Sequence, residues 1–446
     1  MKQIIKLSVA AIILLEVMAL QSCKKDFPII TGATTDQTFS SPRATAAVVV
    51  GLQRLYSQSI VSAMCNANSL VTNETILVNV GNLSEAQLTA GGATVDNTNA
   101  LLGNLWANLN KVIYDADNAI RAATNNRFAA PASLGGPGYA SGVLGYATIF
   151  KAMALANIAQ FWDNVPDTVG VGINSTTGTT YSPRAQGFAR AIAAIDRALA
   201  AIQANPMSTT FLSELPAGVD IVNTLNALKA RYSLYLGNYS VALSTATAVD
   251  LSRASLFNFE SANPNIVFQA YTSTNNVIQP IDSTLGLPLT LRPALNDARV
   301  SFYTTINPTI APRFRFLGFW NSAVRAIPIY LPDEMRLIRA ECLLRQSSPD
   351  PAAAKLLIDA VLQQAGSADA VGVGANIASG YTGTVDVPSL LDEVYRNRCI
   401  ELYFTGLKLE DMRRFNRPLS EMKRRFFPYP LNERINNSNT PPDPSF

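Results

Sequence analysis

The sequence predicts a mainly α protein. Helix pairs like those of tetratricopeptide repeats form a scaffold, with long irregular loops and a minor β content. Three observations carry this. Apolar residues recur at helical spacing in stretch after stretch, as in Leu102, Leu105, Leu109, Val112 and Ala116. The run Gly237-x-Tyr239-x-x-Ala242-x-x-x-Ala246 has the spacing of the second half of a tetratricopeptide repeat, where Gly turns the chain and small Ala residues let antiparallel helices approach. Between 250 and 330 the helical period disappears, and prolines and aromatics take over.

The chain opens with Lys2 and Lys6, then an apolar run from Leu7 to Leu20 interrupted by Ser8 and Glu16. Ala19-Leu20-Gln21-Ser22-Cys23 follows, the layout of a secretory signal that ends at a cysteine. Residues 1–22 are therefore expected to be a lipoprotein signal peptide. The Cys23 sulfur would take a diacylglycerol and the freed amine a further acyl chain. Each buried methylene contributes about 0.8 kcal/mol, so two or three chains (palmitate, for example) anchor firmly where one is marginal. A plain signal peptide with an incidental cysteine is the alternative. The run is short for a transmembrane helix and carries Glu16.

Residues 23–41 are polar and aperiodic and read as a lipidated tether. Residues 42–446 read as a single domain with a loop-rich insertion around 250–330. Helices are expected over 43–56, 101–123 and 139–161, with an Asn/Thr/Gly-rich loop over 66–99. Further helices are expected over 188–202, 223–236, 239–249, 333–344 and 352–365, which makes about four helix pairs. In the last of these Ala353, Leu356, Leu357, Ala360 and Val361 form the expected buried stripe. Residues 263–271 alternate like a short strand. Residues 390–415 read as one long helix with Leu391, Val394, Tyr395, Cys399, Leu402 and Tyr403 on its apolar face.

Composition narrows function. Charged residues are 15% of the 446-residue chain against a usual ~25%, while apolar residues reach 48%. The net charge of +3 leaves no electrostatic footprint for nucleic acid. No histidine occurs, which removes the usual zinc sites, imidazole bases and Ser-His or Cys-His nucleophiles. No cofactor or metal is expected. Beyond Cys23, Cys65, Cys342 and Cys399 remain, and an odd number cannot pair fully. Cys342 and Cys399 lie on apolar helix faces and read as buried thiols; a disulfide at Cys65 is left open.

The C-terminal block carries further motifs; none is decisive alone, and their order together with the Cys23 signal is specific. Arg398, Glu401, Leu402, Phe404, Gly406, Asp411 and Arg414 precede Phe427-Pro428-Tyr429-Pro430, with Glu433 and Asn436 beyond. Helix-packing ion pairs at Arg398 and Glu401, and a Pro-x-Pro strap that cannot continue a helix, account for this block structurally. Upstream stand Val49-Val50-Gly51-Leu52 with Leu55-Tyr56, the segment Gln160–Pro166, and the helix Glu334–Arg345. Taken in order, these motifs resemble the SusD/RagB family, lipoproteins of the Bacteroidetes. The chain departs from the family pattern at Asn397, Thr405, Lys408 and Met412. The resemblance implies an α-domain whose loops build the ligand face. It implies a lid on a SusC-like TonB-dependent transporter, lipid-anchored in the outer membrane and facing the cell surface. Such a lid captures an oligosaccharide or peptide for uptake, with no covalent chemistry.

Two other classes compete. A glycoside hydrolase needs only two carboxylates and no histidine, yet Glu334, Glu341, Asp392 and Glu401 fall on helix faces. A tetratricopeptide scaffold for protein–protein interaction would not need the 250–330 excursion. For a sugar ligand, aromatic rings stack on pyranose faces while amides and carboxylates meet hydroxyls. The ligand-binding candidates are therefore Trp320, Tyr303, Tyr271 and Asn321 in the excursion, and Asn66, Asn68, Asn73 and Glu74 in the first long loop. For each loop aromatic, simple packing is the alternative. Trp106 and Trp162 are expected to pack the core.

Overall fold

A computed structural model describes residues 39, 41–124, 135–168, 178–274, 276–309 and 314–446. The signal segment, Cys23 and nearly all of the tether lie outside the described residues. Helix α1 (Pro42–Leu55) starts on Ser41, whose side chain accepts from Ala44 N–H, with proline in the first turn. A short π-helical stretch, Tyr56–Ile60, leads into α2 (Val61–Val71), and α3 is Leu83–Ala90. The two long helices α4 (Ala100–Thr124) and α5 (Gly136–Phe161) pack against each other. Helix α5 is long and apolar enough to cross a membrane, but 89% of its apolar window is buried inside the protein. Helix α6 (Ala185–Ala204) lies on α5 at Gly187, where a Cβ would come within 2.8 Å of the Ala159 side chain.

The stack continues through the short α7 (Thr209–Glu214), α8 (Ile221–Tyr235) and α9 (Tyr239–Thr247). The α8–α9 turn is made by Gly237 at φ +75°, and Ala242 and Ala246 are buried at the crossing, as the repeat spacing predicts. Helix α10 (Ala298–Tyr303) belongs to the excursion. Helices α11 (Pro332–Arg345) and α12 (Pro351–Gln363) form the next pair, and α13 (Val387–Glu401) packs on both. Helices α14 (Lys408–Arg414) and α15 (Leu431–Asn436) close the chain. Among the described residues, strands occur only as two-stranded antiparallel ribbons. Three of these use the 250–330 region: Thr75–Leu77 with Ile278–Pro280, Leu256–Phe257 with Ile327–Pro328, and Thr304–Ile306 with Phe314–Phe316. The fold is therefore mainly α with minor β, as expected.

Four sequence expectations are corrected. Residues 66–99 are not one loop, since α2 runs to Val71 and α3 follows. Residues 266–272 are helical, because a short alternating apolar pattern does not separate strand from helix. The 390–415 helix breaks at Leu402–Leu407, where Phe404 (φ +55°) and Gly406 (φ +82°) take left-handed backbone. The buried stripe of α12 is Ala354, Ile358, Val361 and Leu362, while Leu356 is 71% exposed. The helical period was right and its phase was off by a residue. Cys65, Cys342 and Cys399 are all buried and free.

The C-terminal ion pairs are largely internal. Arg398 Nε donates to Asp411 at 2.8 Å, and Arg414 bridges Glu341 and Asp411. Buried Arg299 joins Asp297 to Glu401. Burial, and then the neighbouring Asp333, push the Glu401 carboxyl above its ordinary value, with Arg299 opposing. Removing one partner of such a network leaves a charge without compensation, at a cost of about 3–5 kcal/mol.

Candidate functional site

The residues singled out as ligand contacts turn out to be core. Trp320 is 1% exposed, Tyr303 0% and Tyr271 6%. The structure does bring them together. Tyr303 stacks on Trp320 with centroids 5.6 Å apart, and Phe404 meets Trp320 edge-on at 5.1 Å and Tyr271 edge-on at 6.3 Å. The left-handed kink at Phe404 aims that ring into the cluster, so the excursion's aromatics are packed against the α13–α14 junction. A buried ring has no face to offer a sugar, which corrects the expectation that Trp320 stands at the surface. The cavity beside Trp320 holds about 50 Å³, room for water and not for a pyranose ring.

The polar candidates hold the same junction. Asn68 donates to Gly406 O at 2.9 Å, and Asn66 donates to Glu85 at 2.9 Å. The buried Glu74 carboxylate accepts from Phe404 N–H at 3.0 Å and from Thr72 Oγ1 at 3.1 Å. Burial raises its pKa, with Lys408 opposing. Asn73, at φ +61°, is half-buried and donates to Glu421 O. Of the eight ligand candidates, Asn321 alone is exposed.

The open site lies elsewhere. A groove of about 590 Å³ runs between the first turns of α4 and the segment Pro430–Asn436. That volume falls within the ~300–1,000 Å³ typical of ligand pockets. Asn99 starts α4, its Oδ1 accepting from Leu102 N–H, and Leu431 N–H donates to Asn97 O to tie the two walls at one end. The second wall is held by the proline strap. Phe427 N–H donates to Phe161 O, Trp162 Nε1 donates to Pro428 O at 3.0 Å, and the Tyr429 hydroxyl bonds Asp163. Trp106 lies on the groove floor, edge-on to Trp162 at 4.8 Å and to Tyr429 at 5.8 Å. Both Trp106 and Trp162 pack the core, as the sequence predicts.

Ala100, Gly103 and Ala107 make the floor small and apolar, and the side-chain amides of Asn97, Asn104, Asn110, Asn432 and Asn436 ring it. Among the described residues, the amides of Asn97, Asn104 and Asn432 have no protein hydrogen-bond partner. Among the described residues, Glu433 is the only charged side chain of the lining. It accepts from the Tyr181 hydroxyl at 2.6 Å and from Trp106 Nε1 at 3.2 Å. Sequence reasoning missed this site, although a signal was present. From Ala100 to Asn110 the helix carries no charged residue even on its solvent face, whereas a solvated face ordinarily carries charges. Among the described residues no group of three or more carboxylates, thiols or imidazoles is placed to hold a metal.

Comparison with known proteins gives a likeness of form. No family model matches the sequence, and no curated protein matches it. Solved structures do. A SusD homolog from Bacteroides thetaiotaomicron superposes with a TM-score of 0.71 at 12% identity, over 93% of this chain and 99% of that one. A SusD superfamily protein from Bacteroides fragilis gives 0.67 at 14% identity, over 90% and 99%. A SusD-like carbohydrate binding protein, also from Bacteroides fragilis, gives 0.65 at 12% identity, over 85% and 87%. By three-dimensional form, the chain has the fold of the SusD superfamily.

Proposed function

We propose that this protein is a nutrient-capture lipoprotein that binds an oligosaccharide in the α4–Pro430 groove and passes it to a partner TonB-dependent transporter. The observation that carries the reading is the groove itself: side-chain amides without a partner among the described residues, above a small apolar floor, on a SusD fold. An amide offers both a donor and an acceptor, as does a sugar hydroxyl, and an apolar floor suits the C–H face of a pyranose. One of the structural neighbours is described as a SusD-like carbohydrate binding protein. Binding without turnover fits the lining, because glycoside hydrolysis uses two carboxylates about 5–9.5 Å apart and, among the described residues, Glu433 is the only carboxylate lining the groove.

Calorimetric titration with malto-, cello-, manno- and galactohexaose tests the reading. One of these should bind the wild type, and the double variant Asn104→Ala/Asn432→Ala should weaken it about tenfold or more while the melting midpoint stays put. Both positions are exposed, and such substitutions change stability by only about 0.5 kcal/mol. Equal binding by the variant removes the groove from the function.

The anchor belongs to the same proposal, motivated by the charged start, apolar run and Ser22-Cys23. Cys23→Ser should release the protein from the outer-membrane fraction. Retention at the wild-type level refutes lipidation.

A further inference from the structure

We infer that the groove selects uncharged oligosaccharides and turns away anionic ones, with Glu433 as the discriminating residue. This rests on the glycan reading above and adds a substrate class to it. Among the described residues, the lining contains no arginine or lysine. Acidic sugars are ordinarily held by a guanidinium fork or an ammonium, and amide rings supply neither.

The negative charge of Glu433 is not neutralised by its partners. They are the Tyr181 hydroxyl, the Trp106 indole N–H and the Asn437 amide at 3.2 Å, all neutral donors. Tyr181 stays a donor, because burial and then the Glu433 contact push its pKa up. The nearest cations in sequence are already paired, Lys111 with Asp115 at 2.7 Å and Arg434 with Asp443 at 2.5 Å. A ligand carboxylate entering the groove therefore meets the Glu433 charge with no cation among the described lining residues. Like charges ~6 Å apart at a partly screened surface weaken binding about tenfold.

The test extends the hexasaccharide panel with the C6-oxidised uronate of each neutral sugar. All are titrated against wild type, Glu433→Gln and Asn104→Lys at low and high salt. The expected result is that the wild type binds the neutral form about tenfold or more tightly than its uronate. Salt should narrow that gap, because screening shortens the reach of the repulsion. Glu433→Gln should narrow it too. Asn104→Lys, on an exposed helix position, loses a groove amide and should bind the neutral form more weakly, yet it should bind the uronate more tightly than wild type does, because it supplies a cation without touching the Glu433 contacts. A wild type that binds a uronate as well as its neutral parent overturns the selectivity and leaves the glycan reading standing. A gap that neither salt nor Glu433→Gln changes is one of shape, and overturns the role of Glu433. Failure of every sugar in all three proteins overturns the glycan reading and the selectivity together.

Discussion

Two tryptophans divide the molecule. Trp320 stands in irregular sequence beside Asn321 and Ser322, and Trp106 stands in the middle of a long helix. Position in the sequence assigns the first to a ligand face and the second to the core. The structure seals Trp320 among Tyr303, Phe316, Tyr403 and Phe404, and puts Trp106 at the floor of an open groove with its N–H turned to a groove carboxylate. The difference teaches that irregular backbone is not the same as surface. An aromatic-rich loop that pairs as short ribbons and covers a helix junction is itself core. Conversely, a helix whose outer face is small and uncharged can leave a floor for something else to occupy.

The sharpest break in this comparison is Trp320→Ala. Deleting a buried tryptophan removes its transfer energy and leaves a cavity, together about 3–5 kcal/mol. The excursion cannot collapse to fill the space, since Phe316, Phe404 and Tyr303 already pack around the ring. Denaturant unfolding should show the loss as a lower midpoint. At a temperature where the variant is still folded, sugar affinity should match wild type. A variant that unfolds like wild type yet binds tenfold more weakly would return Trp320 to the ligand site.

Much of the scaffold was legible. The α8 and α11 boundaries come within two residues of the periodic reading, because buried stripes and cap residues such as Asp220 declare themselves locally. The α13–α14 kink was not legible, because it depends on a distant partner. The Glu74 carboxylate, which lies 330 positions away in sequence, accepts from Phe404 N–H. Asn66 and Asn68 misled for the same reason. Asparagine reads as loop, but here it is buried in a helix, and Asn68 meets the Gly406 carbonyl that the kink exposes. The groove combined both difficulties. One wall could be read from the uncharged run 100–110. The other is positioned by the proline strap, whose Glu433 and Asn436 could be recognised as a motif but not placed against α4.

A gentler substitution sharpens the contrast from the other side. Trp106→Phe keeps a ring against Trp162 and Tyr429 and deletes the indole N–H that Glu433 Oε2 accepts at 3.2 Å. One hydrogen bond contributes about 0.5–1.5 kcal/mol net, so the stability loss should be near 1 kcal/mol, well short of that at Trp320. The carboxylate keeps Tyr181 at 2.6 Å and Asn437 at 3.2 Å on its other oxygen, which hold it in the groove but leave Oε2 without its indole donor. A sugar hydroxyl donating to Glu433 then meets a less fixed acceptor, and affinity should fall a few-fold. Calorimetry beside a denaturant curve reads both. If Trp106→Phe costs as much stability as Trp320→Ala while binding is untouched, the two tryptophans are equivalent core residues and the groove is not where the ligand lies.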